Sequence, residues 1–352
     1  MSPLLDPFAL DLERPLSTAD GTIEERRGFL VGVEQSLVGE CVRGVGEATP
    51  LLGWTESLDA CEAALRDPPE AWQRVDADPE ERSSTPAARH GYRLAVLDAE
   101  SRDQNCPLAA LLAERGDFPK PAESVPVNAT VGDGDVEETA AAAREAVDSG
   151  FETVKLKVGV RSVEADIDRV RAVREAVDAA IRVDANGTWD WQTAEEAVDA
   201  FASLDVEHVE QPLPADSLAG LADLCGRGVD IAVDESVGER GIDAVLDAGA
   251  ADVAVLKPMA LGGPDVAIDA ARRLTDAGVD PVVTTTIDGA VARAGAVHVA
   301  AAIPDVRACG VATGDLLASD LGPDLVPVVD GRITVPDGLG NVGAAFDDRL
   351  WD

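Results

Sequence analysis

Lysine is nearly absent from this chain. Its 352 residues include 29 Lys plus Arg, yet lysine stands only at Lys120, Lys155, Lys157 and Lys257. Arginine keeps its proton in proteins, whereas a partly buried lysine can act as a base. A chain that has almost dispensed with lysine is expected to keep it where arginine cannot serve. Aromatic residues are also scarce, at 3%, so the apolar mass is mostly Ala, Val and Leu, which suits tightly packed strand–helix units. The five cysteines (Cys41, Cys61, Cys106, Cys225, Cys309) form no CxxC pair. This argues against a zinc site or a disulfide frame and fits reduced thiols. No apolar run reaches membrane-spanning length, and MSPLLDPFAL lacks a basic n-region and an apolar core. The expected location is the cytoplasm.

Positive charge is the other shortage. Asp plus Glu number 67, giving a formal net charge of −38. The acid is spread along the chain rather than gathered in a tail. Such a field repels nucleic acid and anionic membranes, and neither is expected as a partner. Self-repulsion of this size is screened within about 3 Å at 1 M salt, so adaptation to high salt, as in a halophilic microbe, is expected. This bears on where the protein works and not on its chemistry.

From residue 125 onward a unit recurs: a short β-rich run, a polar turn, then an Ala/Glu/Asp-rich stretch with apolar residues at helical spacing. The strand candidates are residues 125–130, 153–158, 181–184, 206–210, 230–234, 252–257, 281–285 and 307–313. Eight such units predict an α/β fold with a (β/α)₈-type barrel over 121–318. An open doubly wound sheet is the rival, disfavoured because no glycine-rich phosphate fingerprint is present. Residues 1–120 lack this rhythm. Extended runs at 28–37 and 40–48, a turn at 49–54 and helical stretches at 56–66 and 85–112 predict an N-terminal α+β capping domain. In the last segment, 319–352, LVPVVDGRITVPDG reads as a hairpin turning at Asp330 and Gly331, in a tail expected to return to the first domain.

The predicted strands end in a notable series. The second ends in Lys155 and Lys157, the third in Asp184, the fourth in Glu210, the fifth in Asp234 and the sixth in Lys257. Alternation puts Lys155 and Lys157 on one face, and barrel active sites lie at the C-terminal strand ends. Three neighbouring carboxylates make a hard, all-oxygen cluster suited to Mg²⁺, with Mn²⁺ as the alternative. Each piece alone has a plainer reading, since KxK is usually two solvated lysines and a strand-end Asp is often a helix N-cap. The order K-x-K, D, E, D, K at one unit per step is what singles them out.

At these residues the chain resembles the enolase superfamily, specifically its muconate-lactonizing subgroup. The matching segments are KLKV (155–158), VDANGTW (183–189), VEQPL (209–213), VDES (233–236) and VLKP (255–258); GVGEATPLLGWTES (44–57) resembles the superfamily's capping domain. The resemblance implies Asp184, Glu210 and Asp234 as Mg²⁺ ligands, Lys157 as acid/base, Lys257 on the opposite face stabilising an ene-diolate, and Lys155 tuning Lys157. Asn186 and Glu235 would orient these groups or serve as plain caps, and Thr130, Thr284 and Thr285 would touch the substrate or satisfy turn backbone. The histidine base of the mandelate-racemase type has no counterpart, since His90, His208 and His298 lie at no suitable strand end. CGVATGDLL (309–317) lacks the Asp-x-Asp pair expected of dipeptide epimerases. With VVTTTID (282–288), that stretch is most similar to the o-succinylbenzoate synthase family of menaquinone biosynthesis. The implied partner is a small-molecule carboxylate, with a homo-oligomer open. N-acylamino-acid racemase, dipeptide epimerase and muconate-type cycloisomerase activities remain alternatives on the same Lys/Mg site, and a non-catalytic binding barrel is a remote one.

Overall fold

Three antiparallel strands, β1 (Leu4–Thr18), β2 (Gly21–Leu37) and β3 (Glu40–Ala48), form one sheet in that order. The computed structural model describes residues 2–18, 21–37, 40–73 and 84–351, so residues 1 and 352, the outer limits of the sequence-derived division, lie outside the described residues. Strand β1 escapes the sequence reading because Pro7 and Pro15 read as breakers. On a sheet edge a missing N–H is tolerated, and the β1–β2 register shifts between Asp11 and Leu16, around Pro15.

Helices α1 (Leu58–Arg66), α2 (Glu70–Gln73) and α3 (Pro86–Asp103) follow. Helix α3 lies directly on β3. A Cβ at Gly44 or Gly46 would stand 2.0 Å from the carbonyl oxygen of Ala95 or Gly91, so only glycine permits this approach. The single helix expected over 85–112 is instead two, α3 and α4 (Leu108–Arg115). Asn105 adopts a left-handed φ of 55°, and Pro107 has no N–H to continue the ladder. Asp98 of α3 accepts the N–H of Val45 (2.8 Å) and of Asn341 (2.6 Å), tying the sheet and the C-terminal segment together.

After β4 (Ser124–Pro126) the chain alternates as expected: β5 (Ala129–Val131), α5 (Val136–Asp148), β6 (Thr153–Lys157), α6 (Val163–Ala176), β7 (Ala180–Asp184), α7 (Trp191–Ser203), β8 (Val206–Glu210), α8 (Leu218–Leu224), β9 (Asp230–Val233) and α9 (Glu235–Ala248). The series continues with β10 (Val253–Leu256), α10 (Pro258–Leu261), α11 (Pro264–Asp276), β11 (Asp280–Val283) and α12 (Ala290–Ala302). Capping carboxylates and hydroxyls start the helices: Asp135 with Glu138 forms a capping box on α5, while Ser162 and Asp190 accept first-turn N–H groups of α6 and α7.

Strands β5 to β11 form one parallel sheet in sequence order. Two expected strands differ from prediction. Residues 125–130 divide: β4 pairs antiparallel with β13 (Arg332–Thr334), and only β5 enters the parallel sheet. Residues 307–313 form no continuous strand, yet Cys309 bridges Val127 and Gly310 bridges Thr284, both in parallel. The Asn128 N–H donates to Cys309 O (3.1 Å) and the Gly310 N–H to Val283 O (2.9 Å), so two residues join the sheet's edges into a barrel.

Alternation sorts the strand side chains. Leu156, Val183, Val209, Ile231, Leu256 and Val283 pack into the main core with the outer helices, while Ala232, Val253 and Val282 form a separate cluster on the opposite, interior face. The hairpin of β12 (Val328–Val329) and β13 turns at Asp330 (φ 49°) and Gly331 (φ 66°), both left-handed as a two-residue I′ turn requires. The C-terminal helix α13 (Asp347–Leu350) and Trp351 return to the first sheet. Trp351 lies against Gly32 and 5.2 Å from the Arg43 guanidinium, and Arg349 pairs with Asp6. Among the described residues no helix is long and apolar enough to cross a membrane.

Candidate active site

Strand register gathers the chemistry at one rim. Lys157 is level with Asp184, and Asp184 with Glu210; Asp234 follows β9 and Lys257 follows β10. Parallel strands carry their C-terminal ends to the same end of the barrel, so residues separated by about a hundred positions become neighbours.

Lys155 Nζ donates to both Glu210 oxygens (2.9 and 3.0 Å) and lies 3.0 Å from Asp184 Oδ2. Lys157 Nζ donates to Asp184 Oδ2 (2.7 Å) and to Asn186 Oδ1 (2.9 Å). Across the rim, Lys257 Nζ pairs with Asp234 Oδ1 and stands 3.6 Å from the centroid of the Trp54 ring. Exposure separates the two lysines of β6: the Lys157 side chain is 39% exposed and that of Lys155 only 15%. A substrate can reach Lys157, whereas Lys155 is enclosed by its carboxylates.

The electrostatics follow from this enclosure. Burial draws the Lys155 ammonium down, but Asp184 and Glu210 outweigh it and hold Lys155 above the ordinary lysine range. Asp184 is buried too, yet Lys155 and Lys157 hold it well below the usual carboxylate range. Glu210 goes the other way: burial, then the charge of Asp184, against the pull of Lys155, push it up to about 7, with Asp234 adding to the rise. Glu235 is raised by burial and by Asp234 and Asp184.

Around these groups lies a supporting layer. Asn186, at φ 46°, donates its N–H to Asp184 Oδ1 (3.1 Å) and its Nδ2 to Glu235 Oε1 (3.1 Å), linking β7 to the start of α9. Gln211 of the VEQPL segment is fully buried, and nothing in the sequence around it signals a role. Its Oε1 accepts the N–H groups of Asp234 (2.9 Å) and Ser236 (3.2 Å), and its Nε2 donates to Leu213 O and Ser236 Oγ (both 2.8 Å). Trp54 is equally silent in the sequence, because a loop tryptophan in the first hundred residues carries no signal that it reaches a barrel rim. His208 faces the barrel interior, its Nε2 3.9 Å from Glu210 Oε2, and burial with Arg182 and Lys155 beside it keeps it well below its usual range.

Thr130 is exposed and level with Lys155. Thr284 follows β11, beside the end of β10, and its hydroxyl donates to Thr285 O (3.1 Å). Thr285 is buried with its hydroxyl bonded to Thr313 Oγ1 (2.8 Å), which ties the seventh strand end to the closing segment.

Asp184, Glu210 and Asp234 offer only oxygen donors, and the mutual repulsion that adds to burial in raising Glu210 is what a hard divalent cation relieves. As they stand, no three His, Cys, Asp or Glu side chains among the described residues are arranged to hold a metal ion. The three lysine ammonium groups are paired with these carboxylates instead. The donor chemistry fits a hard cation once the ammonium groups give way.

Comparison with known proteins agrees with this frame. Residues 138–349, more than half of the chain, match the family described as enolase C-terminal domain-like. The o-succinylbenzoate synthase of Thermobifida fusca (strain YX) is 42% identical over 232 residues, which span 63% of this chain and 70% of that protein. The o-succinylbenzoate synthase of Mycobacterium marinum is 40% identical over 215 residues, 57% of this chain, and the match spans 63% of that relative's length. The substrate-liganded L-Ala-D/L-Glu epimerase of Bacillus subtilis superposes with a TM-score of 0.83 at 27% identity, covering 97% of this chain and 99% of that one. The chain thus belongs to the enolase C-terminal domain-like family.

Proposed function

We propose that this protein is a carbon–oxygen lyase that converts 2-succinyl-6-hydroxy-2,4-cyclohexadiene-1-carboxylate to o-succinylbenzoate and water, the step that would place it in menaquinone synthesis. The observation that carries the reading is the accessible Lys157 facing the Lys257 side of a rim lined by Asp184, Glu210 and Asp234. The o-succinylbenzoate synthases similar to this chain supply the substrate class.

Asp184, Glu210 and Asp234 are the residues that would hold Mg²⁺ or Mn²⁺, and a bound cation would supply positive charge for the substrate carboxylate. Lys157 in its neutral form removes the ring proton next to that carboxylate. The C–H electron pair enters the ring system, and the Lys257 ammonium faces the negative charge that develops. Lys157 then returns its proton to the departing hydroxyl as the C–O bond breaks, releasing water and an aromatic ring. Lys155, enclosed between Asp184 and Glu210, keeps a fixed positive charge beside the base. Asn186 orients Lys157, its Oδ1 accepting an N–H from Lys157 Nζ at 2.9 Å.

Aromatisation gives a direct test. Purified protein with Mg²⁺ and the cyclohexadiene substrate should develop the ultraviolet band of a benzoate, and chelation should stop it. A second reading, epimerisation or racemisation of an acylated amino acid or dipeptide, is favoured by the superposition on the epimerase. Exchange of a substrate α-proton into deuterated water without any aromatic band would establish that alternative and overturn the lyase. A binding-only barrel would show neither signal.

A further inference from the structure

We propose that Trp54, carried by the N-terminal cap, is a positioning residue that holds the Lys257 ammonium in place at the active-site rim. What Lys257 does chemically rests on the function proposed above; the contact itself does not.

Lys257 has a long, flexible stem and three donors to place. Among the described residues its partners at the rim are Asp234 Oδ1 and the Trp54 face at 3.6 Å. A cation taken up by Asp234 would compete with Lys257 for the same carboxylate, but not for an indole ring. The ring then becomes the contact that keeps the ammonium where it is. Tryptophan offers the strongest aromatic attraction for an ammonium, and this one is presented by a chain that is only 3% aromatic.

Trp54 is itself held firmly. Its N–H donates to Leu51 O (3.0 Å), as does that of Thr55 (2.8 Å), and the Leu51 N–H returns to Thr55 Oγ1 (2.7 Å), which closes a tight turn. The ring lies against Gly238 of α9, where an added Cβ would stand 3.7 Å from Cζ3. The root of the loop is stapled to the barrel by Arg26. That buried guanidinium donates to Thr49 O (2.8 Å) and Pro50 O (3.1 Å) on the cap side and to Ile287 O (3.1 Å) in the β11–α12 loop. Ile287, a β-branched residue at φ 61°, sits in a backbone region that needs such external support. The Trp54 turn is therefore fixed to the barrel from two directions, as a positioning element must be.

Four lysines in the whole chain make the contact observable. In the full protein labelled with ¹³C,¹⁵N-lysine, the Lys257 ε-methylene protons should be displaced upfield by the indole ring current, with the Lys257→Arg variant identifying the resonance by its loss. Trp54→Phe should keep part of the displacement and Trp54→Leu should abolish it. The Lys155 signal, locked between Glu210 and Asp184, should stay put in both and so report a folded site. If Trp54→Leu disturbs Lys155, Trp54→Met is the non-aromatic comparison. With the cyclohexadiene substrate, the non-aromatic variant should lower kcat about tenfold with KM changed by less than about twofold, and Trp54→Phe should recover most of the loss. An undisplaced Lys257 resonance in the wild type overturns the proposal, as do equal effects of Phe and Leu on both shift and kcat. A displaced resonance in a protein that never aromatises the substrate supports the contact and overturns the lyase reading instead.

Discussion

Lys155 and Lys157 share a strand and a face, and their surroundings divide the labour between them. Lys157 is the reachable one, so Lys157→Ala should cut kcat by about 10²–10⁴-fold while circular dichroism and melting stay near wild type. Lys157→Arg should fail equally, because a guanidinium keeps its proton. Near-normal turnover of either variant would remove Lys157 from the base role. Gln211 makes a different kind of demand. Replacing it by Leu leaves the N–H groups of Asp234 and Ser236 without their acceptor in a fully buried site. Urea denaturation should register a loss of about 1–3 kcal/mol, and an unchanged midpoint would show that the loop finds other partners.

Between elements, two buried side chains join parts of the chain that are distant in sequence. Glu47 of β3 accepts the N–H groups of Gly289 (2.7 Å), Val291 (3.1 Å) and Ala292 (2.9 Å), and so caps α12 of the barrel from the first sheet. Glu47→Gln turns an NH₂ onto one of these donors and should lower stability by about 1–3 kcal/mol, with amide exchange rising first in the opening turn of α12. Even protection across α12 in that variant would refute the capping role. His298 lies on α12 itself. The Ala109 N–H donates to its Nδ1 (3.3 Å), so the ring proton is on Nε2 and donates to Asn341 O (2.9 Å). Burial lowers His298 to about 4. The folded state therefore refuses a proton that the unfolded chain accepts below about 6.5. The stability contributed by the neutral ring is present above that pH and is lost as pH falls towards about 4. Relative to His298→Asn, the wild type should lose up to about 1.4 kcal/mol per pH unit in this window. Parallel pH profiles of the two would contradict it.

On the scale of the molecule, the net charge of −38 sets the conditions for folding. Raising KCl from 0.1 to 2 M shrinks the screening length from about 10 Å to below about 3 Å and should raise the melting temperature by an amount on the order of 10 °C. Sucrose at equal osmolality is the control for general preferential exclusion. A melting temperature that ignores KCl would mean that close pairs such as Arg89 and Arg93 with Asp265 already balance the field locally.

Some of this architecture was legible without coordinates. The strand–helix period, the turn at Asp330 and Gly331, and the series of lysines and acids at strand ends all depend on neighbours two to four positions away, or on one βα unit repeated. Local chemistry alone therefore prescribes them. Where the reading went astray, the deciding partner was remote. Strand β1 accepts its prolines because the sheet leaves that edge open, and residues 125–130 divide because β13, two hundred positions later, captures β4. The eighth strand shrinks to Cys309 and Gly310 because they need only touch both edges of a sheet that is already curled. Trp54 and Gln211 belong to the same class: their identity is written in the chain, but their purpose depends on which distant surface folds against them, which tertiary packing alone decides.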